Sequence, residues 1–131
     1  MSNRKPIETA KAPQAIGPYS QAILCDGWLY SSGQVAIDPQ SGQMVGGGVE
    51  LEARQCFANL AAVLESAKCS FTDVVKVTVY LQDLSDFATV NGVYAEFFAE
   101  PYPARACVEV ARLPKDALVE LDCVARVPQS S

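Results

Sequence analysis

The sequence predicts a two-layer α/β domain in which two helices pack on one face of a single sheet. Three observations predict it. Candidate elements follow one another in the order β-β-β-α-β-α-β-β. Residues 49–68 and 85–97 space their apolar side chains at steps of three and four, as helices do. Residues 74–81, 104–110 and 119–126 alternate apolar with polar side chains, as strands do. With 131 residues, half of them apolar and 19% charged, a single domain spanning 1–131 can bury a real core.

Each element has a local reason. A first strand is predicted around residues 6–8, and the Pro and Gly of Ala12-Pro13-Gln14-Ala15-Ile16-Gly17-Pro18 then force a loop. Residues 19–24 and 28–32 pair as a hairpin across Cys25-Asp26-Gly27, where Asp-Gly is a turn signal. The run Gly46-Gly47-Gly48 lacks the Lys-Ser/Thr ending of a phosphate loop and is a plain loop. In the first helix Ala53, Cys56, Phe57, Leu60, Val63, Leu64 and Ala67 share a face, and Glu50 and Glu52 suit the positive end of the dipole. The next strand sets Val75, Val77, Val79 and Leu81 against Lys76, Thr78 and Tyr80. Ser85 is the expected cap of the second helix, whose apolar residues are Phe87, Val90, Tyr94 and Phe97, and Pro101 and Pro103 end it. In the last two strands Ala104, Ala106, Val108 and Val110, with Val119, Leu121, Cys123 and Ala125, are expected to meet the helices. Arg105, Cys107 and Glu109, with Glu120, Asp122 and Arg126, then share the other face. That second face also carries Cys107, Tyr80 and Val124, less polar than a solvated surface, so it is expected to mediate self-association.

Composition narrows the chemistry. Ten Lys and Arg against fifteen Asp and Glu leave a net charge of −5, with the cations scattered, which argues against nucleic acid as a partner. No apolar segment is long enough for a bilayer, and the N-terminal residues carry no apolar signal core. Five cysteines, odd in number and without a C-x-x-C pair, fit reduced thiols, and the expected location is cytoplasmic. Histidine is absent, so no Ser-His or Cys-His nucleophile and no imidazole metal site can be built, and no metal or other cofactor is expected.

Arg105 in an otherwise small, apolar strand is either a salt-bridge partner for Glu109 or Glu120, or a bidentate clamp on a carboxylate. Glu120, between Val119 and Leu121, is either a solvent-facing residue or a carboxylate that orients or deprotonates water. Cys107 is a small residue lending backbone groups, or a nucleophile needing some other base. Tyr19 is a packed aromatic or a hydroxyl donor at a loop edge, and Asn91 a neutral helix residue or a side chain aimed into a pocket. Arg105 and Glu120 are expected on one side of the sheet, as a guanidinium and an acid around one small anion.

Taken together, several ordered segments resemble the reactive intermediate deaminase (RidA, or YjgF-type) family over nearly the full length. They are Ala15-Ile16-Gly17-Pro18-Tyr19, Ser32-Gly33-Gln34, Asp86-Phe87-Ala88-Thr89-Val90-Asn91, Pro103-Ala104-Arg105-Ala106-Cys107-Val108-Glu109-Val110, Leu113-Pro114-Lys115 and Val119-Glu120-Leu121. The resemblance implies a chorismate-mutase-like fold, one mixed sheet with two helices on one face, assembled as a homotrimer with pockets at the subunit clefts. It also implies hydrolysis of 2-imino acids or their enamine tautomers, such as 2-iminobutanoate and 2-iminopropanoate, to 2-oxo acids and ammonia. Such imines are released by pyridoxal-phosphate enzymes, serine and threonine dehydratases among them. Arg105 would bind the substrate carboxylate, Glu120 would position the water, and Tyr19, Gly33, Asn91 and Cys107 would line the pocket. Asp122 stands where many relatives carry Glu. Two other expectations come with the resemblance: a ligand-binding, chaperone-like or regulatory trimer without catalysis, and RNA cleavage, which the negative charge disfavours.

Overall fold

A computed structural model describes residues 3–129, so two residues at each end of the 1–131 domain lie outside the described residues. The chain forms β1 (Arg4–Ile7), β2 (Ala22–Cys25), β3 (Trp28–Ser31), α1 (Val49–Ser66), β4 (Val74–Leu81), α2 (Phe87–Tyr94), β5 (Ala104–Glu109) and β6 (Val119–Arg126). The six strands make one sheet in the order β1-β2-β3-β6-β4-β5. Only β4 and β5 pair in parallel, joined by the crossover that contains α2. The predicted element order and the mixed sheet with two helices are therefore observed.

Asp26 and Gly27 turn the β2–β3 hairpin with φ of 54° and 84°, the left-handed pair that suits a two-residue turn. Arg126 secures the turn: its Nη1 donates to the Asp26 carbonyl at 2.9 Å, and its guanidinium lies 5.0 Å from the Trp28 ring centre.

Helix α1 covers the centre of the sheet. Cys56, Phe57, Leu60, Val63 and Leu64 are fully buried with Val77, Leu81, Val119 and Leu121 from β4 and β6. Phe57 stacks on Phe97 at 4.5 Å and meets Phe71, Tyr94 and Phe98 edge-on at about 6 Å. Each such pair adds about 0.5–1.5 kcal/mol beyond area burial, so this cluster locks α2 and its following turn onto α1. Among the described residues no helix is long and apolar enough to cross a membrane.

Several sequence expectations change: the first strand is Arg4–Ile7 rather than 6–8, the hairpin begins at Ala22 rather than Tyr19, and α2 stops at Tyr94, before Phe97 and well short of Pro101. Val75 is 42% exposed because a bulge between Val74 and Lys76 puts Val74 in the core instead. Asp83, and not Ser85, caps the turn before α2, its side chain accepting from the Ser85 amide at 2.9 Å. The faces of β5 are reversed. Val77 pairs with Arg105 and Val79 with Cys107, so Arg105 and Cys107 point to the helix side while Val108 is 43% exposed on the other. Side chains of directly paired residues share a face, and here parallel pairing with β4 set the phase.

Candidate active site

Arg105 rises from β5 toward α2. Three α2 residues at helical spacing receive it: Phe87, Asn91 and Tyr94. Its Nη1 donates to the Asn91 side-chain oxygen at 2.6 Å. Its guanidinium carbon lies 5.3 Å from the Phe87 ring centre and 4.7 Å from that of Tyr94. One edge of the fork is thus tied to an amide while its plane rests on two rings, leaving further N–H donors for a ligand. Arg105 and Asn91 line a cavity of about 440 Å³ with Tyr94, Ala95, Tyr102 and Pro103.

Cys107, two residues on, is half-buried on the same face and packs against the core. Burial raises its thiol pKa, and the Arg105 charge opposes this less strongly. A thiol held protonated is a poor nucleophile, so Cys107 fits the backbone-lending role better than the covalent one.

Glu120 stands elsewhere. It pairs with Tyr80, on the face turned away from the helices, across the sheet from Arg105. The expectation that one chain sets the two side chains on a common face is therefore overturned, for the same reason that the faces of β5 are reversed. Burial, and then the neighbouring Asp122 charge, raise the Glu120 pKa above its ordinary 4.5. The Tyr80 hydroxyl donates to Asp122 Oδ2 at 2.9 Å, which fixes that second carboxylate.

Gly33 lies against Glu120. A β-carbon built on Gly33 would run into the Glu120 carboxylate, so the carboxylate can stand where it does only because residue 33 has no side chain. The segment is pinned on both sides. Ser32 Oγ donates to the Ser20 carbonyl at 2.5 Å, and Gln34 exchanges backbone hydrogen bonds with Leu121 at 2.7 and 3.1 Å. Beyond it, Asn59 from α1 donates to the carbonyls of Val35 and Ile37. Gly33 and the half-exposed Tyr19 line a second cavity, of about 320 Å³, with Ile16, Gln34, Ile37 and Lys115 among its walls.

The loop before Tyr19 is organised by one buried side chain. Gln21 accepts from the Thr9 amide at 2.7 Å and donates to the carbonyls of Thr9, Ala12 and Pro13. Glu52, also buried, accepts from the Leu118 amide at 2.9 Å and so steadies the entry to β6.

The six residues singled out from sequence thus fall into two groups. Arg105, Asn91 and Cys107 belong to the helix side of β5, and Glu120, Gly33 and Tyr19 to the opposite side around β6. Sequence reasoning treated Phe87 and Tyr94 only as core residues and passed over Gln21. The spacing of Phe87, Asn91 and Tyr94 on one helical stripe was the available signal. Among the described residues no group of His, Cys, Asp or Glu is arranged to hold a metal ion.

Residues 9–127 match the family model described as Endoribonuclease L-PSP. A RutC family protein of Synechocystis sp. is 55% identical over 95% of this chain and 97% of its own. A Bos taurus protein named 2-iminobutanoate/2-iminopropanoate deaminase is also 55% identical, over 93% of this chain and 89% of its own. The crystal structure of RidA from an Antarctic Psychrobacter superposes with a TM-score of 0.90 at 45% identity, covering 94% of this chain and 99% of that one.

Proposed function

Because the chain belongs to the Endoribonuclease L-PSP family, which includes the RidA and RutC proteins, we propose that it hydrolyses 2-imino acids to 2-oxo acids and ammonia. The observation that carries this reading is the Arg105 fork, held by Asn91 and two rings at a cavity that no acid lines among the described residues. Such a site suits a small carboxylate. The deaminase name of the Bos taurus protein supplies the reaction class.

The chemistry needs no covalent nucleophile, because an iminium carbon is already electrophilic. Arg105 binds the carboxylate in two-point fashion and orients the C=N carbon. Glu120 and the Cys107 carbonyl hold a water against that carbon. Attack forms a C–O bond and a carbinolamine, and the water proton passes by way of Glu120 to nitrogen. Collapse passes the hydroxyl proton to Glu120 as the C=O bond forms and the C–N bond breaks, releasing ammonia and leaving the 2-oxo acid. A carboxylate with a raised pKa suits this shuttle, since it takes and returns a proton nearer to neutral pH.

Arg105 and Glu120 face opposite ways in one chain, so the reading requires a second copy. We place the reaction at a cleft where the Arg105 side of one subunit meets the Glu120 side of another, in a homotrimer. Exposed Tyr30 and Val108, with Val124, give the outer face of the sheet an apolar character suited to such contact. The substrates are 2-iminobutanoate and 2-iminopropanoate, products of pyridoxal-phosphate dehydratases. Tyr19, Gly33 and Asn91 complete the walls.

The test is a coupled reaction in which this protein is added to a threonine dehydratase and decay of the imine is timed. Faster conversion to 2-oxobutanoate and ammonia is expected. An unchanged decay would remove the proposal.

A further inference from the structure

Among the described residues one buried side-chain polar atom makes no hydrogen bond: the Tyr94 hydroxyl. Native structures rarely leave such an atom unpaired, since it keeps the cost of desolvation without return. The residue is 6% exposed at the end of α2. Its ring packs on Phe98 at 4.5 Å and edge-on to Phe57 at 6.0 Å, so the hydroxyl is held in place and has little freedom to seek another partner.

The surroundings indicate what that partner is. Tyr94 lines the Arg105 cavity, and the guanidinium sits over its ring. The polar side chains there offer donors. Arg105 presents its free N–H groups, the Asn91 oxygen is taken by Arg105 so that only N–H donors of its amide remain, and Tyr102 adds a phenol. Burial raises the Tyr94 pKa, with Arg105 opposing more weakly, so the phenol keeps its proton and is a donor at neutral pH. Among the described residues no Asp or Glu lines this cavity. A bidentate fork occupies two of the roughly four lone-pair directions of a carboxylate, which leaves acceptors for further donors.

We propose that the Tyr94 hydroxyl is a ligand-binding group that donates a hydrogen bond to the carboxylate of the acid held by Arg105. The guanidinium carbon lies 4.7 Å from the centre of the Tyr94 ring, so an acid held by Arg105 comes to lie beside that residue. Arg105 is exposed, so an acid reaches its free N–H groups from solvent while the guanidinium keeps its place on Asn91 and the two rings. This assignment rests on the 2-imino acid reading of the Arg105 cavity.

The experiment compares the wild type with Tyr94→Phe, which removes the hydroxyl and keeps the ring. Three quantities are measured: binding of 2-oxobutanoate by calorimetry, turnover of 2-iminobutanoate, and thermal melting. The variant is expected to bind 2-oxobutanoate about 5- to 30-fold more weakly and to raise KM more than it lowers kcat. Its melting temperature should stay the same or rise, because an unpaired hydroxyl has been removed. Binding within twofold of wild type overturns the proposal. So does a melting temperature several degrees lower, which would mean that the hydroxyl has a partner within the protein. Should the wild type bind 2-oxobutanoate yet leave imines untouched, the deaminase reading fails while the binding ratio still decides the role of Tyr94. A wild type that binds no 2-oxo acid overturns both.

Discussion

Arg105 and Glu120 occupy opposite faces of one sheet, on strands β5 and β6 that flank β4. Arg105 pairs with Val77, whose side chain is in the core, and Glu120 pairs with Tyr80, which points the other way. A flat sheet keeps two such side chains apart whatever their rotamers. If they act on one substrate, they come from two subunits.

Mixing two inactive variants reads this directly. Arg105→Ala and Glu120→Ala should each be inactive alone. Denatured together in equal amounts and refolded, they should recover about a quarter of wild-type activity, since half of the Arg105 sides and half of the Glu120 sides at random interfaces are intact. Continued inactivity of properly assembled mixtures would exclude a shared site.

Arg105→Lys keeps the charge and loses the fork. A planar guanidinium can hold the Asn91 oxygen, rest on the Phe87 and Tyr94 rings and still offer two parallel N–H donors to a carboxylate, which a single ammonium cannot. A fall of about 10²- to 10³-fold in kcat/KM is expected, corresponding to roughly 3–4 kcal/mol of lost transition-state stabilisation. Near-normal hydrolysis of 2-iminobutanoate by this variant would refute the clamp.

Asn91→Ala removes the amide that ties one edge of the guanidinium at 2.6 Å. Hydrogen bonds to charged groups contribute about 1.5–3 kcal/mol, and the exposed position lowers this toward 1. Steady-state kinetics should show a KM about 5- to 10-fold higher with little change in melting temperature.

The pH profile should carry the Glu120 signature. Its folded-state pKa is raised above 4.5, first by burial and then by Asp122. As a base it works only when ionised, so activity should climb with pH through a midpoint above the ordinary carboxylate value. Asp122→Asn removes the second cause and should move that midpoint down. The sign for stability is the reverse of a salt-bridged acid: the favourable contribution is present at low pH and is lost as pH rises through the raised pKa. Glu120→Gln should abolish the pH limb and most turnover while still binding 2-oxobutanoate. If turnover survives intact, Glu120 only lines the site.

Gly33→Ala tests the close approach. The added methyl meets the Glu120 carboxylate, on a segment fixed by the Gln34–Leu121 backbone pair. The carboxylate, at the far end of a flexible and half-exposed side chain, swings aside, so stability should change by less than about 1 kcal/mol while kcat falls more than binding. Thermal melts with kinetics on the same preparation check both.

Element order was readable because helical and strand periodicities are local. The Asp26-Gly27 turn and the 74–81 strand stand where the pattern predicts them. What failed was phase. In β5 the alternation of Ala and Val with Arg, Cys and Glu is satisfied by either face, and the choice falls to parallel pairing with β4, a contact set by distant chain segments. Val75 misled for a related reason, since a bulge shifts the alternation by one residue without a glycine to announce it. In the site, Arg105 and Glu120 stood out as charges among apolar neighbours. Tyr94 did not, because a buried tyrosine on a helix stripe reads as packing until its hydroxyl is found without a partner.

The Gln21 amide has a practical bearing on remodelling. Four hydrogen bonds converge on it from Thr9, Ala12 and Pro13, so a single stitch gathers the start of the loop. Libraries meant to alter which side chains the cleft admits belong at Gln14 and Ile16, on the free margin beyond that stitch, whereas varying Gln21 itself would unravel the hem.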